Sequence, residues 1–261
     1  KQKNYLYNKL IFYKILGKKL PLNLNGLSID TRTIKKNNIF LAIKGRKTDG
    51  NIFVKEALRK GAGCIISSKS KAKNKKIIKV KNPISFLNHY AKLKREHTLA
   101  TIIAITGSTG KTSMKNLTKN LLQNFGNTYS SPKSFNNHLG VPISLSNLNN
   151  EDKFGVFEVG MSKAGEIKKL TKLIKPHIGI ITNIGEAHLE NFKNIKGIAK
   201  AKSEIIENIV KGGTIILNRD DKYFYYLYKK AKSHKLKIST FGKDNRSDIF
   251  LKRIIKRKNF S

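Results

Sequence analysis

The chain has 261 residues, 54 of them Lys or Arg against 16 Asp or Glu, for a formal net charge of +38 at pH 7. That length accommodates two modest domains with real cores, and a single cysteine, Cys64, excludes a disulfide framework and any cysteine-based metal site. No apolar run approaches the roughly 18 residues of a membrane span, so a soluble, reducing, cytoplasmic protein without membrane insertion is expected. The charge invites a nucleic-acid partner. However, the lysines are scattered through every segment, with abundant Asn and Ile and little Arg, as in an AT-rich coding bias. No specific nucleic acid is therefore expected. The chain opens on Lys1 without a methionine and closes on a lysine-rich, strand-like segment, which reads as a fragment.

In chain order, residues 1–24 read as a short amphipathic helix and a polar connector. A small α/β unit follows: strands at Leu27–Arg32 and Ile39–Ile43, a helix from Ile52 to Lys60 closed by Gly61, strands at Cys64–Ile66 and Ile77–Val80, and a helix from Pro83 to Glu96. Cys64 is expected as a small buried residue at a strand start, and Lys69 to Lys76 as a solvated loop. A boundary near residues 96–100 gives two domains, 1–98 and 99–261. Beyond it, strands at 101–106, 154–159, 178–183, 213–218 and 236–241 alternate with helices near 111–125, 164–174 and 194–210. The fold class is thus α/β: a small N-terminal unit, then a domain built on a mostly parallel sheet covered on both faces. Ligands of such sheets gather beyond the carboxyl ends of the strands.

At the first of those ends the run Ile102–Ile105 breaks into Thr106-Gly107-Ser108-Thr109-Gly110-Lys111-Thr112-Ser113 and then into a helical pattern. Strand, glycine loop, Gly-Lys-Thr, helix is the arrangement that cradles nucleotide phosphates. The loop amides and the helix N-terminus face the anion, Lys111 reaches the β- and γ-phosphates, and Thr112 offers a hydroxyl to Mg²⁺. The general spacing asks for glycine at position 105, where Ile105 stands. Glu158 ends a second apolar strand, placing a carboxylate suited to Mg²⁺ in a chain poor in acids. Asn183 and His188 follow a third. A lone histidine after a strand reads as structural, and Lys200 and Lys202 read as two more helix lysines. The patch Ser134–Pro142 combines Asn136, Asn137 and a Gly-Val-Pro turn; it suits an amide- or sugar-rich substrate, or is a plain Asx-rich turn.

Taken in order, these motifs resemble the Mur ligases of peptidoglycan synthesis. That family's loop reads Thr-Gly-x-x-Gly-Lys-Thr, which Thr106 to Thr112 fits, so position 105 need not be glycine. Phe135-Asn-Asn137 with Gly140-Val-Pro142 is similar to the MurF type, and Glu158-Val-Gly160, Gly165-Glu-Ile167, Ala187-His-Leu189 and Ala201-Lys202 also match. Ser28–Arg32, Phe40–Gly45 and Asp49-Gly50 resemble the N-terminal domain that binds the UDP end of the substrate.

The resemblance implies ATP-dependent joining of D-alanyl-D-alanine to UDP-N-acetylmuramoyl-tripeptide through an acyl phosphate, by a monomer. It assigns Thr106, Gly107, Ser108, Thr109, Gly110, Lys111, Thr112, Ser113 and Asn183 to the nucleotide. Two Mg²⁺ ions fall to Thr112, Glu158, His188 and Lys202, the last as a CO₂-derived carbamate, chosen over Lys200 by its fourteen-residue step from His188 and by Ala201 before it. Lys111, Lys202 and His188 would be catalytic. Ser28, Asp30, Thr31, Arg32, Lys44, Gly45, Asp49, Asn136 and Asn137 would contact the muramoyl substrate. Members have three domains, so the 261 residues would end inside the central one, bind nucleotide weakly and not ligate by themselves. The alternatives are a MurE-like or folylpolyglutamate-synthase-like ligase, a basic nucleic-acid-binding phosphate-loop protein, or a non-catalytic module that captures the UDP-sugar peptide.

Overall fold

The computed structural model describes residues 2–17, 24–45, 48–69, 74–187 and 189–253. The chain starts with α1 (Gln2–Leu16), β1 (Leu27–Ser28) and β2 (Ile39–Leu41). A 3-10 turn (Gly50–Phe53) leads into α2 (Val54–Arg59), followed by β3 (Cys64–Ser67), β4 (Ile77–Lys79) and α3 (Pro83–His97). Next come β5 (Thr101–Thr106), α4 (Lys111–Leu122), β6 (Thr128–Ser130), α5 (Gly140–Ser146), β7 (Phe154–Glu158), α6 (Glu166–Ile174) and β8 (Ile178–Ile181). The sequence closes with α7 (Ile195–Lys202) and a following 3-10 segment (Ser203–Asn208), β9 (Thr214–Asn218), α8 (Phe224–Ser233), β10 (Lys237–Gly242) and β11 (Ile249–Phe250). No helix among the described residues is long and apolar enough to cross a membrane.

Contacts divide the chain into two units, one of residues 1–100 and 138–153, the other of 101–137 and 154–261. A single cut near residue 98 lacks the 138–153 excursion, which packs with the first unit.

In the first unit, four parallel strands run in the order β1-β2-β3-β4. The core beneath them gathers Phe40, Ala42, Val54, Ala57, Ala62 and Ile65. Cys64 opens β3 at 1 % exposure, and burial pushes its thiol up to about 12. The expected strand Leu27–Arg32 is cut short at Ser28, because the Asp30 carboxylate accepts the Arg32 amide at 2.9 Å and turns the backbone. Asn82 caps α3 by accepting from the Ile84 and Ser85 amides, with Pro83 at the first helical position. Phe12 of α1 packs on Phe86 and Tyr90 of α3, with ring centroids 5.5 and 5.6 Å away. The expected Gly-Val-Pro turn is instead the buried first turn of α5, where a proline lacks no hydrogen bond the helix needs. Ser144 and Ser146 return their hydroxyls to the carbonyls four residues back, at 2.8 Å each, which lets both be buried. Asn147 then holds both backbone groups of Leu27, at 2.8 and 2.9 Å.

In the second unit, seven strands, every neighbouring pair parallel, run in the order β11-β10-β9-β8-β5-β7-β6. From β5 the chain crosses over β7 to reach β6, carrying α4. From β7 it crosses back over β5 to reach β8, carrying α6. Right-handed crossovers in opposite directions put α4 on one face and α6, α7 and α8 on the other. The change of direction opens a crevice at the carboxyl end of β5, the place where such sheets bind ligands. Register aligns Ile105 with Glu158 of β7 and Thr106 with Ile181 of β8, so both neighbouring strands end beside the glycine loop. Ile105 itself is fully buried in a cluster with Ile103, Val156 and Ile180. A glycine at that position would empty part of the core.

Candidate functional site: a phosphate loop between two strand ends

The loop is held open by close packing. Gly107 has φ +154°, and a Cβ there would lie 1.8 Å from the Thr182 hydroxyl. Gly110 sits at φ +74° and begins α4 without a side-chain cap, so the helix N-terminus is presented to the crevice. Asn183 braces the loop from β8: its carbonyl accepts the Ser108 amide and its side-chain oxygen accepts the Thr109 amide, each at 3.0 Å. The Ser108 hydroxyl donates to the Gly185 carbonyl at 2.9 Å and accepts the Gly185 amide at 2.8 Å. Asp221, which carried no expectation, accepts the Ile184 amide at 2.6 Å and so fixes the brace. Ser113 is exposed on α4's first turn.

Two ammonium groups converge on one carbonyl. Lys111 Nζ donates to Gly107 O at 2.8 Å and to Ser108 O at 3.2 Å; Lys202 Nζ reaches the same Gly107 O at 3.0 Å. Lys202 is 2 % exposed, whereas Lys200 is exposed. Burial, and then the charge of Lys111, pull the Lys202 ammonium down to about 7. Burial lowers Lys111 as well, against the pull of Glu158.

Glu158 is 1 % exposed at the end of β7. Its Oε2 accepts the Thr112 hydroxyl at 2.8 Å, and its Oε1 accepts the Asn136 amide at 2.7 Å. Lys115, which the sequence did not single out, places Nζ 3.7 Å from Oε2 and donates to the Lys133 carbonyl. Asn137 is exposed, and His188 lies outside the described residues. Among the described residues no cluster of three His, Cys, Asp or Glu side chains could hold a metal. A carboxylate beside a hydroxyl does fit a hard cation that takes its remaining oxygens from water and phosphate.

The other expected residues lie in the first unit, after the carboxyl ends of the neighbouring strands β1 and β2. Ser28 Oγ accepts the Asp30 amide at 3.1 Å, and Asp30 holds the Arg32 guanidinium at 2.7 Å while Arg32 stays exposed. Thr31 is buried, its carbonyl accepting Lys60 Nζ at 3.0 Å. The backbone of Lys44 pairs antiparallel with that of Asp49, and the Gly45 amide donates to the Thr48 carbonyl at 2.9 Å. The backbone and side chain of Asn51, then Lys69, hold the Asp49 carboxyl down to about 2. Of the expected solvated loop, residues 70–73 lie outside the described residues.

A parallel sheet with Gly-Lys-Thr at the head of a helix and a carboxylate at the adjoining strand end defines an α/β nucleotide-phosphate-binding protein. The Mur ligase middle-domain model matches residues 105–261, and the model of the Mur ligase family catalytic domain matches residues 23–100. The chain belongs to the Mur ligase family. Among its relatives is the UDP-N-acetylmuramoyl-tripeptide–D-alanyl-D-alanine ligase of Buchnera aphidicola from Acyrthosiphon pisum. It is 38 % identical over 233 residues, covering 89 % of this chain and 51 % of the relative. A crystal structure of MurF from Acinetobacter baumannii aligns with TM-score 0.80 and 29 % identity, covering 97 % of this chain and 55 % of that one. MurF of Thermotoga maritima in complex with ADP aligns with TM-score 0.75 and 28 % identity, covering 90 % and 54 %. The chain therefore spans about half the length of the relatives it matches.

Proposed function

We propose that the chain supplies the UDP-substrate and phosphate-binding parts of a cytoplasmic, monomeric ATP-dependent ligase that joins D-alanyl-D-alanine to UDP-N-acetylmuramoyl-tripeptide. The observation that carries the reading is the convergence of Lys111, Lys202, Thr112 and Glu158 on one glycine loop at the sheet's change of direction. In this reading the tripeptide's terminal carboxylate attacks the γ-phosphorus of ATP, giving an acyl phosphate and ADP. The amine of D-alanyl-D-alanine then adds to the acyl carbon, and the tetrahedral adduct collapses to the amide, releasing inorganic phosphate and a proton.

Lys111 exchanges its two loop carbonyls for phosphate oxygens and, with the amides at the start of α4, stabilises charge on the transferring group. Thr112 and Glu158 would hold Mg²⁺, which supplies positive charge to phosphate oxygens when bound, and a second ion would fall to His188. Because so much of its population is the free amine near neutral pH, Lys202 is suited to add CO₂, losing a proton and gaining a carbamate that would orient metal. Asn136 and Asn137 face the muramoyl peptide, and Ser28, Asp30, Thr31 and Arg32 with Lys44, Gly45 and Asp49 take the UDP end. The scattered lysines carry no nucleic-acid role.

The test supplies the full-length protein with ATP, Mg²⁺, UDP-N-acetylmuramoyl-tripeptide and D-alanyl-D-alanine and follows phosphate release. Release that needs both substrates and falls by several orders of magnitude in Lys111→Ala supports the reading. Release indifferent to either substrate sinks it.

A further inference from the structure

Among the described residues most lysines lie on the surface, yet Lys115 is among the largest fully buried side chains, at 2 % exposure. It sits one helical turn beyond Lys111, and α4 offers several exposed positions that would carry an ammonium without desolvation. Burying that charge costs several kcal/mol unless good partners meet it. Its two partners belong to different parts of the site: Glu158 Oε2 at 3.7 Å and the carbonyl of Lys133. Lys133 is a non-glycine residue at φ +47°, a left-handed conformation that persists where its surroundings enforce it.

The segment 131–137 is fastened to the end of β7 at three further points. The Glu158 amide donates to Ser131 Oγ at 3.2 Å, and Asn136 Nδ2 donates to Glu158 Oε1 at 2.7 Å. The Gly160 amide donates to the Asn136 carbonyl at 2.8 Å, at a glycine whose Cβ would lie 2.9 Å from the Asn136 side chain. The Lys115 ammonium adds a fourth tie, joining the Lys133 carbonyl to the Glu158 carboxylate that Thr112 and Asn136 also hold.

We propose that Lys115 is a positioning residue: by holding the Lys133 carbonyl and the Glu158 carboxylate together, it fixes the loop bearing Asn136 and Asn137 against the phosphate loop. The inference rests on the ligase reading for its consequence, because it makes one buried cation couple the peptide-substrate loop to the nucleotide end of the site.

The experiment compares the wild-type chain with Lys115→Met and, as a control of equal charge change at an exposed position of α6, Lys172→Met. Amide hydrogen exchange across residues 131–137 is read without ligand, and UDP-N-acetylmuramoyl-tripeptide is then titrated into each. Lys115→Met should speed exchange in that segment by at least about tenfold while β5 and β7 stay protected, and weaken tripeptide binding by about 10- to 100-fold, the usual range for residues that orient a site's ligands. Lys172→Met should do neither. Wild-type exchange rates in a folded Lys115→Met variant overturn the proposal. Should that variant fail to fold, Lys115→Met/Glu158→Gln removes the uncompensated charge, and its segment must exchange faster than in Glu158→Gln alone. A wild-type chain that does not bind the tripeptide counts against the ligase reading, and the exchange comparison still decides Lys115.

Discussion

Replacing Lys202 by methionine should make the chain more stable at neutral pH, and the gain should vanish as the solution becomes alkaline. The folded chain holds the Lys202 proton with an affinity of about 7 against the ordinary 10.5, because burial and Lys111 disfavour the ammonium. At about 1.4 kcal/mol per pH unit that displacement amounts to about 4–5 kcal/mol. The unfolded chain binds more protons than the folded one between those values, so the stability of the wild type rises with pH across that window. The penalty is complete below about 7 and gone above 10.5. Methionine fills nearly the same volume and has nothing to titrate. Urea unfolding of both proteins in CO₂-free buffer from pH 6.5 to 10 isolates Lys202 and its coupling to Lys111, since groups away from that pair cancel in the difference. The gap in unfolding free energy should close by roughly 3–4 kcal/mol between pH 7 and 10. A gap that stays constant with pH would refute the reasoning. Bicarbonate added near pH 8 should stabilise the wild type and leave Lys202→Met unmoved if the free amine takes up CO₂.

Gly107→Ala should abolish nucleotide binding and cost upwards of about 2 kcal/mol, with Thr182→Ala in the same chain restoring part of the stability, as read by thermal melting. Ile105→Gly supplies the glycine of the general phosphate-loop spacing, yet it should lose about 3–5 kcal/mol in urea unfolding and bind nucleotide no better, because that side chain is core. Asn147→Ala strands both backbone groups of Leu27 and should cost about 1–3 kcal/mol, seen as a lower urea midpoint at unchanged slope.

Where the signal is local, the sequence carried it. The β-branched run Ile102–Ile105 followed by Gly-x-x-Gly-Lys-Thr specifies β5, the loop and α4 with little help from the rest of the chain. The strand end at Glu158 was legible because an acid among apolar neighbours is conspicuous. Lys115 was not, since one more lysine in a chain with 54 basic residues has no local mark, and only its place one turn after Lys111 on α4's inner face hinted at burial. The resemblance singled out Lys202; its position at Gly107 is a contact between residues ninety-five apart. Helix α8 went unread although Phe224, Leu227 and Ala231 carry helical spacing, because the tyrosines between them resemble a strand. The turn after Ser28 was missed for the opposite reason: Asp30 overrides an extended pattern with one short hydrogen bond.

The excursion through residues 138–153 has a consequence for anyone dissecting the protein. The link between β6 and β7 leaves one folding unit, forms a helix against α3 and β1 of the other, and returns. Units defined by contact are thus not segments of sequence, and a clone of residues 101–261 would carry an orphaned helix whose seven residues are all buried in the intact chain. Expressed alone, that piece would present an apolar peptide in the middle of its own sheet connection, a signature of aggregation rather than of a free-standing nucleotide module. Separating the two functions would call for replacing 138–153 with a short polar linker.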